Sequence, residues 1–302
     1  MAIVVRPLAA RDAGPAADVL FVAAAARGTR TGSAPAFDVP AEARRFVERL
    51  LAVDPMGAQV VDDDGEVIGV GWTHGRGRIA TLGPLAVLPR HRGQGIGRQL
   101  LDACVASLGE RGVQLRLVEN AADAPSVAFY LRCGFRVVGA LLEMERLADA
   151  GTSVAPPPGG AAIRAGTDAD EPELVARDAR SWGGPRPQDL APLLERGQAM
   201  LLVRHDRVLA HGFARREERT TWIGPAAGDD GSLVASVVGH LAAEAVAGDG
   251  LASRVLVPAA DRKLVDGVLA HGFTVRGTHL YLGAGGGTAP PPGYVLCSPW
   301  LA

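Results

Sequence analysis

The spacing of apolar positions changes along this chain in an order that reads as elements. Residues 3–6 predict a strand, residues 12–26 a helix, and residues 40–51 a second helix carrying Phe46, Leu50 and Leu51 on one side. The period then shortens to two. Residues 59–61 and 67–72 read as strands around the turn Asp62-Asp63-Asp64-Gly65, where Asp-Gly supplies the positive φ of a tight hairpin. The acidic run reads as a solvated turn, not a cation site. Residues 78–87 continue as a strand, and Leu100, Leu101, Cys104, Val105 and Leu108 recur at helical spacing within 97–108. A strand at 113–118, a helix at 126–133 and a strand region at 135–145 complete the order β-α-α-β-β-β-α-β-α-β. The strand–helix–strand passage over 78–118 predicts a parallel pair with a right-handed crossover, a setting in which ligands sit at strand carboxyl ends.

Residues 148–161, ADAGTSVAPPPGGA, carry no apolar period and read as a linker. After them the same order returns: a strand at 162–164, two helical segments, strands near 200–203 and 208–214, and a third ending in Trp222-Ile223-Gly224-Pro225. The chain therefore reads as a duplication. Leu82-Gly83-Pro84 matches Ile223-Gly224-Pro225, and Cys133-Gly134-Phe135 matches His271-Gly272-Phe273, with internal separations of 51 and 48 positions. The missing positions are expected in the loop that follows Gly-Pro. The expected domains are 1–147 and 162–302 around the linker. A Gly/Pro-rich stretch at 283–293 precedes an apolar run, residues 294–300, expected to return to a sheet as a final strand.

Length supports the division, since 302 residues exceed the usual single core and suggest two domains of about 150 residues. Hydrophobic residues at 48% and charged residues at 21% fit a globular protein. The longest apolar stretch near the start, residues 19–26, is shorter than the ~20 residues of a bilayer-spanning helix, and no such helix is expected. No basic segment precedes an apolar one at the amino end, where Arg11 and Asp12 would interrupt a secretory signal, so a cytoplasmic location is expected. Cys104, Cys133 and Cys297 form no CxxC pair and read as reduced packing residues. Net charge is -2, with 17 basic and 17 acidic residues up to Ala150 and 14 against 16 beyond it, so neither half offers a basic nucleic-acid surface.

The chemistry concentrates in PRHRGQGIGRQLL, between the strand at 82–88 and the helix at 97–108. Glycines lacking a Cβ let successive backbone N–H groups converge on an anion, and the helix amino end adds partial positive charge. Arg90, Arg92 and Arg98 add full charges. A P-loop needs GK[ST], but Gly97 is followed by Arg98; a dinucleotide fingerprint needs GxGxxG, but Gly93, Gly95 and Gly97 are spaced by two. Both are set aside.

What remains resembles the acetyl-CoA motif Q/R-x-x-G-x-G/A of the GNAT superfamily, matched by Arg92, Gly95 and Gly97. The later SVAFYLRCGF resembles that family's signature of a tyrosine a few residues before a Gly-Phe pair. The resemblance covers residues 3–147. It implies an α/β (α+β) fold of two tandem GNAT-like domains, each a mixed, mostly antiparallel sheet with a central splayed parallel strand pair flanked by helices. It implies acetyl-CoA, or another acyl-CoA, as cosubstrate and no metal. By that resemblance Leu85, Ala86 and Val87 offer main-chain hydrogen bonds to the pantetheine arm. Arg92, Gly93, Gln94, Gly95, Ile96, Gly97 and Arg98 hold the pyrophosphate. Asp123, standing where many members place an asparagine, and Ser126 are further coenzyme contacts, and Tyr130 protonates the departing thiolate. The glutamate that many members carry before the cradle is missing, because Thr81, Leu82, Gly83 and Pro84 offer no carboxylate.

An amine with a pKa near ~10.4 must shed about three units of protonation before attacking at pH 7, roughly 4 kcal/mol. Glu119 is the first candidate acceptor of that proton, His74 the second and a water chain the third. The second copy has no cradle: Ala226-Ala227-Gly228-Asp229-Asp230-Gly231-Ser232 follows Gly224-Pro225, and Val268 stands at the position of Tyr130. This tandem arrangement resembles a bacterial subgroup of GNAT proteins in which an active domain precedes an inactive one. The expected function is transfer of acetyl from acetyl-CoA to a primary amine of a small molecule by direct attack. The alternative is a non-catalytic acyl-CoA-binding or scaffold protein. A monomer or homodimer is expected, without nucleic-acid or membrane partners.

Overall fold

The computed structural model describes residues 3–109, 113–196, 199–217 and 219–296. The chain divides into two compact units, residues 1–117 with 122–135, and residues 118–121 with 136–302.

In the first unit β1 (Ile3–Pro7), β2 (Ala58–Asp63), β3 (Glu66–Arg76) and β4 (Ile79–Val87) pair antiparallel in sequence, and β4 pairs parallel with the start of β5 (Gln114–Asn120). The hairpin before β3 turns on Asp64 and Gly65, at φ 49° and 93°. Helix α1 (Ala13–Thr31) buries Ala16, Ala17, Val19, Leu20, Ala23 and Ala24 at three- and four-residue spacing, the stripe of a core-facing helix. Helix α2 (Pro40–Val53) starts on a proline and buries Ala43, Phe46, Val47 and Leu50. Helix α3 (Ile96–Ala106) packs Ile96, Leu100, Leu101 and Cys104 inward, followed after β5 by α4 (Ala124–Arg132). The α3–sheet approach depends on Gly71, where an added Cβ would lie 2.8 Å from Cys104 Sγ.

Pairing between β4 and β5 is confined to Ile79↔Gln114, Ala80↔Leu115 and Thr81↔Arg116. Beyond Thr81 the two strands part. This leaves the far edge of β4, from Leu82 to Val87, unpaired by β5.

The second unit has the strand order β12-β6-β11-β10-β9-β8-β7, with β13 added on β10. These strands are β6 (Arg136–Arg146), β7 (Ala162–Ala165), β8 (Ala199–Arg204), β9 (Arg207–Arg216), β10 (Thr220–Gly228), β11 (Ala252–Pro258), β12 (Thr274–Ala284) and β13 (Tyr294–Val295). Its helices are α5 (Glu171–Trp182), α6 (Pro187–Glu195), α7 (Gly231–Asp249) and α8 (Arg262–Ala270). The core joins Val234, Val237, Val238 and Leu241 of α7 to Leu209, Ile223, Val255 and Val257 of the sheet. A smaller cluster sets Leu174 of α5 and Leu190 and Leu193 of α6 over Leu201 and Phe213.

Two features depart from the sequence reading. Residues 135–145 were expected to close the first domain, but β6 lies between β12 and β11 of the second unit, antiparallel to both. The end of β5 follows it, with the Ala121 N–H donating to the Thr278 carbonyl of β12 at 3.1 Å. The final strands of the two repeats are thus exchanged, each taking the place beside the other's penultimate strand. The linker, residues 148–161, contains only short 3-10 turns, and Arg146 Nη2 holds it through the carbonyls of Gly151 and Ser153. Finally, Gly231–Gly248 is one helix long and apolar enough to cross a bilayer by length and composition, with 56% of it buried inside the second unit. That burial makes it the core helix of this unit. In the charge run 215–219, Glu218 lies outside the described residues, as do residues 297–302 of the predicted tail and with them Cys297.

Candidate functional site

The unpaired edge of β4 exposes alternate peptide groups. Leu88 N–H donates to the Ile68 carbonyl at 2.9 Å, and the register runs on through Val87↔Gly69, Ala86↔Val70 and Leu85↔Gly71. In an antiparallel ladder hydrogen-bonded pairs alternate with non-bonded ones. Ala86 therefore spends its peptide groups on β3, while those of Leu85 and Val87 turn outward to the edge left by β5. The expectation for three main-chain contacts narrows to two, Leu85 and Val87. One outward group is engaged: the Val87 carbonyl accepts from Arg92 Nε at 3.1 Å.

Next comes the loop into α3. Gly93 and Gly95 have φ of 77° and 81°, a backbone region that L side chains rarely adopt, and a Cβ on either would meet nothing within 4 Å. Gly95 is the N-cap of α3 and supplies no side-chain cap, so the amides of the first turn, among them Ile96 and Gly97, receive no side-chain acceptor from it. Ile96 is buried and anchors the turn, whereas Gly93, Gln94 and Gly95 are exposed. The amino end of a helix carries partial positive charge, and here no side chain of its N-cap covers it. Gly97 serves another purpose: its Cα faces the Phe129 ring, 3.5 Å from an added Cβ, which brings α4 against the first turn of α3.

The arginines are not equivalent. Arg90 binds Glu66, and Arg98 Nε reaches both Asp102 oxygens at 2.9 and 3.0 Å along its own helix. Arg92 is held nearest the cradle by Val87. Desolvation holds its guanidinium pKa below the ordinary value, and the positive charge of Arg30 pushes the same way while Asp123 opposes.

Asp123 has no exposed surface. It caps α4 by accepting from Ser126 N–H at 3.3 Å, and Arg30 holds both its oxygens at 3.1 and 2.6 Å. Burial raises the Asp123 pKa, but the hydrogen bonds from Arg30 and Ser126 win and it lies below the usual aspartate value. Asp123 and Ser126, expected as coenzyme contacts, are thus the N-cap pair of α4. Sequence reading missed Arg30, whose partner is 93 positions away. No local signal marks it.

Tyr130, one turn from the end of α4, is buried, with the rings of Phe129 and Phe135 edge-on at 5.1 and 5.7 Å. The Gly-Phe pair that followed it in the sequence closes the helix: Phe135 N–H donates to the Tyr130 carbonyl at 3.1 Å. His74 is placed differently from the sequence reading. Its Nδ1 faces Asp54 Oδ2 at 2.7 Å and its Nε2 faces the Gly83 carbonyl at 3.1 Å, so both nitrogens are committed to acceptors. Asp54 also binds Arg76 through both oxygens, each at 2.8 Å; burial works to raise its pKa, but His74 and Arg76 bring it down to about 2. Glu119, in the segment that packs with the second unit, is buried, and its Oε1 accepts from Asn120 N–H at 2.9 Å.

The second unit presents the counterpart of this apparatus in altered form. Helix α7 starts only seven positions after Gly224, against thirteen from Gly83 to α3, which removes the glycine loop. Its N-cap is Asp230, whose carboxylate accepts from Ser232 N–H and Oγ and from Lys263 Nζ at 2.6 Å. Those bonds, Lys263 first, lower the Asp230 pKa to about 2. A fixed carboxylate thus occupies the helix end where α3 leaves room for an anion. Asp229 is held by Arg177 at 2.6 Å and Arg207 at 3.1 Å, and Val268 is fully buried.

Known proteins resemble this chain in part of its sequence and in its fold. The acetyltransferase (GNAT) domain family matches residues 57–137. A mycothiol acetyltransferase of Propionibacterium freudenreichii subsp. shermanii is 37% identical over 94 residues, which is 28% of this chain and 29% of that protein. The match therefore spans less than a third of the relative's length. Among solved structures, a candidate acetyltransferase from Pyrococcus horikoshii superposes with a TM-score of 0.76 at 16% identity, over 99% of this chain and 96% of that one. A tandem GNAT protein from the clavulanic acid biosynthesis pathway gives 0.65 at 16% identity, over 95% of this chain and all of that one. At these identities the superpositions speak for fold alone. Residues 57–137, which hold β4, the glycine loop and Tyr130, thus match the acetyltransferase (GNAT) domain family, and over nearly its whole length the chain shares its fold with the tandem GNAT protein.

Proposed function

We propose that the first unit is an acetyl-CoA-dependent N-acetyltransferase acting on a small-molecule primary amine by direct attack. The observation that carries this is the side-by-side placement of two features: the outward peptide groups of Leu85 and Val87 on the parted edge of β4, and the glycine-capped amino end of α3. The residues present fit an acyl-CoA. Leu85 and Val87 would hold an amide-bearing arm, and the α3 amides with Arg92 would hold its phosphates. When bound, acyl-CoA supplies the activated thioester carbonyl. The chain's own part is then to orient, to hold the developing oxyanion with main-chain N–H groups and to move two protons.

Tyr130 is the proposed donor to the leaving sulfur, its ring fixed by Phe129 and Phe135. For the proton leaving the amine, Glu119 is the proposed acceptor, ahead of His74, whose two ring nitrogens already face Asp54 and the Gly83 carbonyl. A cytoplasmic location belongs to the same reading. The acceptor class is open to a direct assay: free thiol released from acetyl-CoA, followed across amino acids, polyamines, aminoglycosides, peptide amino termini and amines related to mycothiol. Amine-dependent release supports the proposal. Tight coenzyme binding with no release across the panel refutes it in favour of a binding protein.

A further inference from the structure

Strand β10 repeats β4 at an offset of 141 positions. The bond from Leu88 N–H to the Ile68 carbonyl has its counterpart in the bond from Asp229 N–H to the Leu209 carbonyl, and Gly71 has its counterpart in Gly212, beneath α7. Ala226 and Gly228 therefore stand where Leu85 and Val87 stand, with their peptide groups turned to the edge that opens after the last β10–β11 pair, Ile223↔Val255.

In this unit that edge is filled by the chain itself. Ala226 pairs with Val295 and Ala227 with Tyr294, antiparallel, and Gly228 N–H donates to the Gly293 carbonyl at 3.1 Å. On the other side Leu296 N–H reaches the Leu256 carbonyl of β11 at 3.4 Å. The segment is locked at its entry and along its length. Gly293 N–H donates to Asp261, the N-cap of α8, at 2.6 Å, and a Cβ at Gly293 would come within 2.9 Å of the Gly228 carbonyl. The Tyr294 hydroxyl accepts from Arg186 Nη2 at 2.6 Å, and Arg186 is itself paired with buried Asp178. Tyr294, Val295 and Leu296 are buried.

We propose that the segment 293–296 is the resident ligand of the second unit's coenzyme-type cleft, an extended peptide bound by strand addition that closes this cleft to acyl-CoA. The proposal rests on the coenzyme reading of the first unit. The chemistry is the same on both sides: a row of main-chain donors and acceptors between parted strands, offered to an amide-bearing arm in one unit and satisfied by a peptide in the other. The cleft's phosphate end is closed as well, by the Asp230 carboxylate.

The test keeps the full chain. In a background of Cys104→Ala, Cys133→Ser and Cys297→Ser, Ala226→Cys and Val295→Cys place two thiols on directly paired residues of adjacent strands. The disulfide should form to near completion under mild oxidation. Calorimetry should then give one coenzyme A per chain, with affinity unchanged by oxidation. In the unmodified chain, hydrogen exchange at the amides of Val295 and Leu296 should be slowed at least 100-fold relative to a free peptide of the same sequence. Failure to form the disulfide together with free-peptide exchange would overturn the proposal. So would a second coenzyme bound by the reduced chain and lost on oxidation. A chain that forms the disulfide yet binds no coenzyme would refute the proposed function and leave the tail's occupancy standing.

Discussion

Replacing Arg30 with methionine separates the two sides of the ion pair that anchors the helix of Tyr130. Asp123 has no exposed surface, so losing Arg30 leaves a buried carboxylate held only by the amide and side chain of Ser126. Breaking a buried pair from one side costs about 3–5 kcal/mol; because Arg30 is 31% exposed, the low end, about 3 kcal/mol, applies. At ~1.4 kcal/mol per tenfold change, this is on the order of a 100-fold rise in the opening of α4. Hydrogen exchange of the α4 amides at pH 7 reads that number. The pH dependence has a definite sign. In the native chain the Asp123 pKa is depressed, so its contribution is present above the ordinary aspartate value and lost as pH falls through the folded one. In Arg30→Met, burial leads and the folded value rises above the ordinary one; the penalty is full at high pH and fades on acidification. Protection of α4 in the variant should therefore approach that of the native chain between pH 7 and pH 5. Adding Asp123→Asn, which keeps a capping oxygen without the charge, should recover most of the loss. A change under threefold in Arg30→Met at pH 7, or a deficit that does not shrink on acidification, would refute this reasoning.

Gly95→Asp would copy Asp230 at the end of α3; the added Cβ meets nothing within 4 Å but the positive φ strains it by about 1–2 kcal/mol, a cost the fold should survive by circular dichroism, while coenzyme A affinity should fall ~100-fold or more by calorimetry. Tyr130→Phe should lower turnover ~100-fold with coenzyme affinity nearly unchanged, and a native rate would return Tyr130 to packing. Glu119→Gln should lose activity mainly below the pKa of the amine and regain it as pH rises; an unaltered pH–rate profile removes Glu119 as the base. His211, fully buried with neither ring nitrogen hydrogen-bonded among the described residues, has its pKa lowered to about 4, chiefly by burial. Its unfolded form takes up a proton first as pH falls below ~6.5, so the native state loses about 3 kcal/mol between there and pH 4, and His211→Leu should flatten that part of the urea-midpoint curve.

Much of this architecture is written locally. Helices α1 to α4 and strands β1 to β5 follow the apolar period because rotation per residue, 3.6 to a turn against two to a pleat, is a property of neighbours in sequence. The proposed cradle is equally local: Gly93 and Gly95 take the positive φ that their residue type permits, and the amino end of α3 is built from neighbours in sequence. The duplication, too, is visible in two pairs of Gly-containing anchors. Tertiary structure alone decided where β6 goes, since a strand with alternating faces satisfies its period beside either β5 or β11, and the choice depends on pairings over a hundred positions apart. It also decided the fate of polar side chains. His74 was available as a base until folding set Asp54 on one nitrogen and the Gly83 carbonyl on the other, and Asp123 faced the coenzyme until Arg30 arrived from α1. The apolar residues at 294–296 announced a strand, but not that it would enter the cleft between β10 and β11. A hydrogen-bond partner is a point in space, and the sequence specifies that point only through the whole fold.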